Sequence, residues 1–191
     1  MRNEIAIPFL VSALLIVGMR GASAQQTKTY PPKAGSTVGA DLLLVNGTWA
    51  GDGIGVQGNY DQVISKNAGP GHVTAGGLVL LAITDDDDYD GPCDREQTTI
   101  GAAGRVKYVL DVHPVLRPWG GAGLGIYSVN RDDDPCNNGN DDDDDIGIGI
   151  PISIGMDFTL DALTLGVNVT FHQTSADEDF SALGLGAAWR F

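Results

Sequence analysis

The chain has 191 residues, with 25 Asp or Glu against 11 Lys or Arg, so its formal net charge is −14 at pH 7. A negative excess of this size repels nucleic acid and attracts cations, which excludes nucleic-acid binding as an expected function. A chain of this length is expected to form one domain.

The N-terminus has the order of a secretory signal peptide. Met1 and Arg2 precede an apolar stretch at 5–18, and Ala22-Ser23-Ala24 forms a small-residue cleavage site. The apolar stretch is shorter than the roughly 20 residues that a membrane-spanning helix needs. We therefore expect three parts: a signal peptide at 1–24, a short leader at 25–36, and one folded domain at 37–191.

The rest of the chain shows period-two alternation with turn signals between the runs, which predicts β-strands. The clearest run is 146–158, in which Ile, Met and Phe alternate with small or polar residues. Short turns and long connections follow each other in strict alternation, which indicates antiparallel neighbours. The sequence predicts eight strands, at 37–45, 54–65, 72–83, 98–111, 115–129, 146–158, 163–172 and 182–191.

One face of these strands is apolar, and the other is small, polar or charged. In a membrane barrel the apolar face meets lipid and the polar face lines the lumen. Strands of about 10 to 12 residues also suit a tilted membrane strand. The expected fold is an all-β, closed antiparallel transmembrane β-barrel of about eight strands. Its lumen is expected to be packed with small and polar side chains, and its charges are expected to pair; they are Asp61, Arg105, Lys107, Asp111, Asp157 and Arg190.

Most of the acidity belongs to two loops. Residues 85–96 and 131–145 hold 15 of the 25 acidic residues and only two basic ones, a local sum of −13. The first loop has Asp at alternate positions followed by Gly91, a spacing with which carboxylates converge on a hard cation. It departs from a helix-flanked calcium loop at the twelfth position, where Gln97 replaces Glu. The alternative is a solvated acidic surface. The candidate ligands for calcium are Asp86, Asp88, Asp90, Asp94, Asp134, Asn138, Asp142 and Asp145.

The two cysteines lie one in each acidic loop. Cys93 and Cys136 fall at the same end of the predicted barrel, and an exported protein can form and keep a disulfide. A bond between them would join two loops whose like charges otherwise repel. The sequence therefore predicts a Cys93–Cys136 disulfide, with two free thiols as the alternative.

Three segments together carry a family resemblance. They are 117–125 (RPWGGAGLG), the hairpin at 155–171, and the aromatic terminus at 183–191. The chain resembles the OmpA/OmpX-type superfamily of small eight-stranded outer-membrane barrels over most of 37–191. The resemblance implies an outer-membrane location, outer-membrane lipids and lipopolysaccharide as surroundings, and a monomer. It also implies a C-terminal signal read by the barrel-assembly machinery, formed by Leu183, Leu185, Trp189 and Phe191.

A resemblance to barrel lipid A deacylases is weaker. His172, Ser175 and Glu178 supply the residue types of that family's His/Ser/Glu site near the rim. That family places Ser two residues after His, whereas the gap here is three. A catalytic site is therefore not expected.

The leading hypothesis is a non-enzymatic surface barrel without a resident cofactor, whose acidic loops interact with calcium or external partners. A small pore is the second hypothesis, and conductance in planar bilayers would distinguish it. A lipid-active enzyme is the third, and mass spectrometry of lipid A after expression would distinguish it.

Overall fold

The computed structural model describes residues 35–47, 51–85, 96–131, 144–176 and 179–191. These residues form eight β-strands and short turns. Within these ranges no helix is long and apolar enough to cross a membrane. The strands are β1 (Ser36–Gly47), β2 (Asp52–Ala68), β3 (Gly71–Asp85), β4 (Glu96–Leu110), β5 (Leu116–Arg131), β6 (Asp144–Leu160), β7 (Leu163–Thr174) and β8 (Phe180–Arg190).

The strands pair in chain order, and β1 closes the sheet against β8. Every pair is antiparallel, and the closing pair runs from Thr37 opposite Arg190 to Gly47 opposite Phe180. Closure leaves no free sheet edge over this length. The prediction of a closed all-β antiparallel barrel with eight strands is confirmed, and each predicted strand boundary lies within three residues of the observed one.

The two ends of the barrel differ. At the turn end, residues 69–70, 111–115 and 161–162 connect successive strands. The first and last described residues of the chain, Gly35 and Phe191, also lie at this end. Gly69 and Asp161 adopt positive φ in two of these turns, which permits the tight reversals. At the loop end, the connections 48–51, 86–95, 132–143 and 175–179 join the strands.

The outer face of the barrel is apolar. Along β6 the Ile side chains from 146 to 154 and Phe158 are exposed, while Ser153 on the same strand points inward and is buried. Alternate residues of a strand point to opposite faces, so one period-two pattern supplies both surfaces. The outer face is therefore suited to contact with lipid chains.

The lumen has two layers of different chemistry. The sequence predicted a small and polar lumen throughout, but an apolar layer crosses its loop-end half. We call this apolar layer the plug; it consists of Leu43, Val45, Leu78, Leu80, Ala82, Ala103, Tyr127, Phe180 and Ala182. The layer escaped prediction because the runs at 42–45 and 78–82 are apolar on both faces and show no alternation.

Two glycines make room for the largest side chain of the plug. The ring of Tyr127 is completely buried and lies between Gly101 of β4 and Gly149 of β6. A Cβ atom on Gly101 would lie 2.6 Å from the ring, and one on Gly149 would lie 2.5 Å from it. Both distances are too short for a real contact, so the glycines are required by the packing of Tyr127.

Candidate functional site

The charged side chains of the lumen gather in its turn-end half. Asp61 of β2 forms ion pairs with two basic side chains: its Oδ2 lies 2.9 Å from Arg105 Nη2 and 2.6 Å from Lys107 Nζ. Arg105 Nε also donates to Asp61 Oδ1 at 3.3 Å. Gly76 of β3 stands between Asp61 and Arg105 in the cross-strand row. Because Gly76 has no side chain, the guanidinium reaches across β3 to the carboxylate.

An aromatic ring continues this cluster toward β6. Lys107 Nζ lies 4.6 Å from the centre of the Trp119 ring, within the range of a cation–π contact. Trp119 Nε1 donates to Asp157 Oδ1 at 2.9 Å. Trp119 points inward, where it packs over Gly155.

A second ion cluster lies nearer the turn end. Asp111, which is 1% exposed, contacts His72 Nδ1 through Oδ2 at 2.7 Å and Arg117 Nη1 through Oδ1 at 3.5 Å. Arg190 of β8 also lines this part of the lumen. The structure thus places all six predicted lumen charges on the inner face. Arg117 was not predicted to be a lumen charge, because the glycine-rich run that follows it shows no clear alternation.

A hydrogen-bonded belt separates the charged clusters from the plug. Asp41 Oδ2 accepts from Gln57 Nε2 at 3.1 Å, Asn59 Nδ2 at 2.8 Å and Asn168 Nδ2 at 3.4 Å. Asp41 and Asn168 belong to strands on either side of β8, whose inward positions there are glycines, so the two side chains meet over it. The belt was not foreseen, since it depends on the register of four strands.

His172 and Ser175, the two described residues of the His/Ser/Glu set, have different surroundings. His172 is buried, stacks on Phe180 at 4.3 Å between ring centres, and its Nδ1 lies 3.0 Å from the Tyr127 hydroxyl. Ser175 is exposed at the barrel end, and its hydroxyl accepts a hydrogen bond from Ile148 N at 3.0 Å. His172 and Ser175 are three residues apart, and an odd spacing along a strand places side chains on opposite faces. This spacing agrees with a buried His172 and an exposed Ser175. Glu178 lies outside the described residues.

The acidic loops are mostly outside the described residues. Of the eight candidate calcium ligands only Asp145 is described; it lies in β6 opposite Val129. The remaining seven, Asp86, Asp88, Asp90, Asp94, Asp134, Asn138 and Asp142, and both cysteines, Cys93 and Cys136, lie in the undescribed ranges, as do the signal peptide and most of the leader. In the described part of the chain no group of three or more His, Cys, Asp or Glu side chains could hold a metal ion.

The residues of the C-terminal signal lie on the lipid-facing side. Leu183, Leu185, Trp189 and Phe191 are all exposed on the outer face of β8 or directly after it. Ala182, just before Leu183, and Gly184, between Leu183 and Leu185, are buried toward the lumen. The alternation therefore leaves an apolar stripe on the outside of the last strand.

Comparison with known proteins decides the family. Residues 9–191 match the model of the outer membrane protein β-barrel domain. The chain belongs to this family. Its fold is accordingly a transmembrane barrel. Such barrels usually have their short turns on the periplasmic side and their longer loops outside the cell. No curated protein sequence matches the chain significantly.

Solved structures share the fold at low sequence identity. Neisserial surface protein A has a TM-score of 0.57 and 16% identity, with 83% of this chain and 98% of that chain covered. Ail, the attachment invasion locus protein of Yersinia pestis, has a TM-score of 0.56 and 11% identity, with 84% and 100% covered. The outer membrane enzyme PagL has a TM-score of 0.52 and 12% identity, with 81% and 99% covered. Neighbours of the fold thus include an enzyme as well as other surface proteins, so function must be argued from the site.

Proposed function

We propose that this protein is a non-enzymatic barrel of the outer membrane that displays two acidic loops to bind divalent cations, with calcium as the expected ion. The observation that carries the proposal is the placement of charge. The segments with a net charge of −13 connect β3 to β4 and β5 to β6. Because β4 pairs with β5, both loops leave the same end of the barrel side by side.

The proximity of the loops gives cation binding its driving force. Like charges at close range repel, and a bound divalent ion relieves that repulsion more effectively than diffuse salt does. Carboxylate oxygens are the ligands that calcium prefers. The negative charge of the two loops also favours binding of a basic external partner. An Ail structure holds the heparin analogue sucrose octasulfate, a polyanion, which these acidic loops would repel.

The lumen argues against a pore. The plug residues are each at most 7% exposed, and Arg105 and Lys107 both pair with Asp61 beneath them. Ions crossing this lumen would have to displace packed apolar side chains and break buried ion pairs. The barrel therefore serves as a closed support for its loops.

The position of His172 argues against an enzyme of the deacylase type. A general base must reach the proton that it removes, and His172 is buried beside Tyr127 and Phe180. Ser175 is engaged by the backbone of β6. The similarity to PagL, at 12% identity, is a similarity of fold and does not imply the same activity.

The remaining parts of the proposal concern the cell. The protein is exported through the signal peptide at residues 1–24, which is then cleaved. The barrel-assembly machinery recognises its aromatic terminus and inserts it. In the outer membrane it is a monomer surrounded by lipids and lipopolysaccharide. The Cys93–Cys136 disulfide ties the two acidic loops together and raises the density of negative charge at the cell surface.

Calcium titration of the folded protein tests the central part. Thermal melting of the full chain in detergent is followed as calcium chloride is added, with sodium chloride at equal ionic strength as the control for screening. A ligand that binds only the folded state stabilises it by about 2.7 kcal/mol at a hundredfold excess over its dissociation constant. We expect the melting temperature to rise with calcium only.

Variants locate the effect. Replacing Asp86, Asp88 and Asp90 together with Asn should abolish most of the calcium response. Asp161→Asn removes a charge at the opposite end, and Asn tolerates the positive φ of that turn, so the response should persist. If sodium reproduces the effect, or the triple variant retains it, the loops are only a solvated acidic surface.

A further inference from the structure

The turn-end half of the lumen contains a cavity of about 100 Å³. We call it the vestibule; the side chains that matter here are Thr74, Arg117, Trp119, Asp157, Thr159 and Arg190, all of which line it. It lies on the periplasmic side of the plug. A space of this size between polar walls holds several water molecules or one small polar ion.

Buried polar atoms of the vestibule lack partners. Arg117 Nε, Thr74 Oγ1 and Thr159 Oγ1 are buried and make no hydrogen bond with the described residues. Each such group left unpaired costs about 1–3 kcal/mol. Arg117 is only 7% exposed, and its ion pair with Asp111 is long at 3.5 Å. The vestibule is therefore built to receive a polar guest, which can accept from the arginine and bond with the hydroxyls.

The guanidinium groups of the vestibule favour an anion as this guest. Four cationic side chains, Arg105, Lys107, Arg117 and Arg190, and three carboxylates, Asp41, Asp61 and Asp157, line it, and the buried Asp111 behind the lining balances the fourth cation. Asp61 is occupied by Arg105 and Lys107, and Asp41 by amides.

Three carboxylates lie near Arg117 or Arg190 and offset part of their positive charge. Asp157 accepts from Trp119, and Asp111, behind the lining, divides its oxygens between His72 and Arg117. Asp157, Asp111 and Asp161 also lie within electrostatic range of Arg190. These carboxylates hold the two arginines in place, yet none of them pairs Arg117 Nε. Guanidinium donors match the geometry of oxyanions, which accept two parallel hydrogen bonds.

We propose that the vestibule binds a small free oxyanion such as phosphate, with Arg117 and Arg190 as the charged donors and the Thr159 hydroxyl as a neutral one. Because the residues lie inside the lumen, an ion in solution reaches them from the periplasm, whereas lipid headgroups remain outside the barrel wall. The vestibule and the acidic loops lie at opposite ends of the barrel, so oxyanion binding and calcium binding are tested independently.

Titration of inorganic phosphate into the full chain in phosphate-free detergent tests this site. Melting temperature and tryptophan fluorescence are the two readouts, since Trp119 lines the vestibule, and sodium chloride at equal ionic strength is the control. Phosphate should raise the melting temperature saturably, and chloride should not. Arg117→Gln and Arg190→Gln should each weaken binding by about tenfold or more, the effect of losing one charge-assisted hydrogen bond.

A matched control separates binding from general charge. Lys66 is exposed at the same end of the barrel, so Lys66→Gln should leave the phosphate affinity within about twofold, as expected for a charge far from the ligand in screening salt. If Arg117→Gln does not fold, Arg190→Gln decides, because Arg190 is half-exposed at the end of β8. The absence of a saturable phosphate effect, unchanged affinity in Arg190→Gln, or equal loss in Lys66→Gln would each show that the vestibule holds water only.

Discussion

Removing the carboxylate of Asp61 should destabilise the barrel strongly. Asp61→Asn keeps the shape of the side chain but leaves Arg105 and Lys107 without the anion that both contact. The side chains of all three residues are at most 10% exposed. Two like charges would then face each other in the lumen with little water to screen them.

The magnitude follows from the contacts that are lost. Breaking a buried ion pair by removing one partner costs about 3–5 kcal/mol. Asp157 lies close enough to Lys107 to interact with it electrostatically, and the vestibule admits water, so both would compensate in part. We therefore expect a loss of about 3 kcal/mol in the free energy of unfolding, the lower end of that range.

Urea unfolding in detergent micelles measures this loss, with the fraction of folded protein read from the gel migration of unboiled samples. The double variant Asp61→Asn, Lys107→Gln removes the surplus charge, so it should lose less than the sum of its two single variants by at least about 1 kcal/mol. Asp85→Asn, at an exposed position on β3, should change stability by no more than about 0.5 kcal/mol. A loss below about 1 kcal/mol in Asp61→Asn, or additive single variants, would refute the view that this ion cluster is closed and buried.

Two further outcomes follow from the packing of the barrel and from the sequence of its loops. Gly149→Ala should destabilise by about 1–3 kcal/mol in the same urea assay, because its methyl group would collide with the Tyr127 ring. Gly104→Ala is the matched control: its Cβ would point to the outer face and would meet only the Gly76 carbonyl oxygen, at 3.9 Å, so stability should be retained. A similar loss in both variants would contradict this account. Non-reducing peptide mapping should recover Cys93 linked to Cys136, and two freely alkylatable thiols would reject the disulfide.

Much of the barrel could be predicted because apolar and polar residues alternate along a membrane strand, and this alternation shows which face meets lipid and which faces the lumen. The Ile residues of β6 and the polar residues between them identify the strand, its two faces and its limits to within two residues. The apolar layer of the lumen could not be predicted in this way. Leu43 and Val45 face inward while Leu42 and Leu44 face lipid, and an apolar run on both faces has no period.

The candidate sites were less predictable, because they depend on which strands become neighbours and in what register. Asp61 and Arg105 are 44 residues apart and meet only because Gly76 stands between them in the sheet. The same holds for Asp41 and Asn168, which meet across β8. Residue types showed that charges would line the lumen, but their pairing required the three-dimensional register.

Conductance in planar lipid bilayers tests the closed-barrel account most directly. The purified full-length protein is reconstituted and held at a series of voltages, with an open porin as a positive control for insertion measurements. Because the plug fills the lumen and the ion cluster pairs beneath it, we predict no stable conductance steps from inserted protein. Reproducible steps of constant size would contradict the account and show that the lumen conducts.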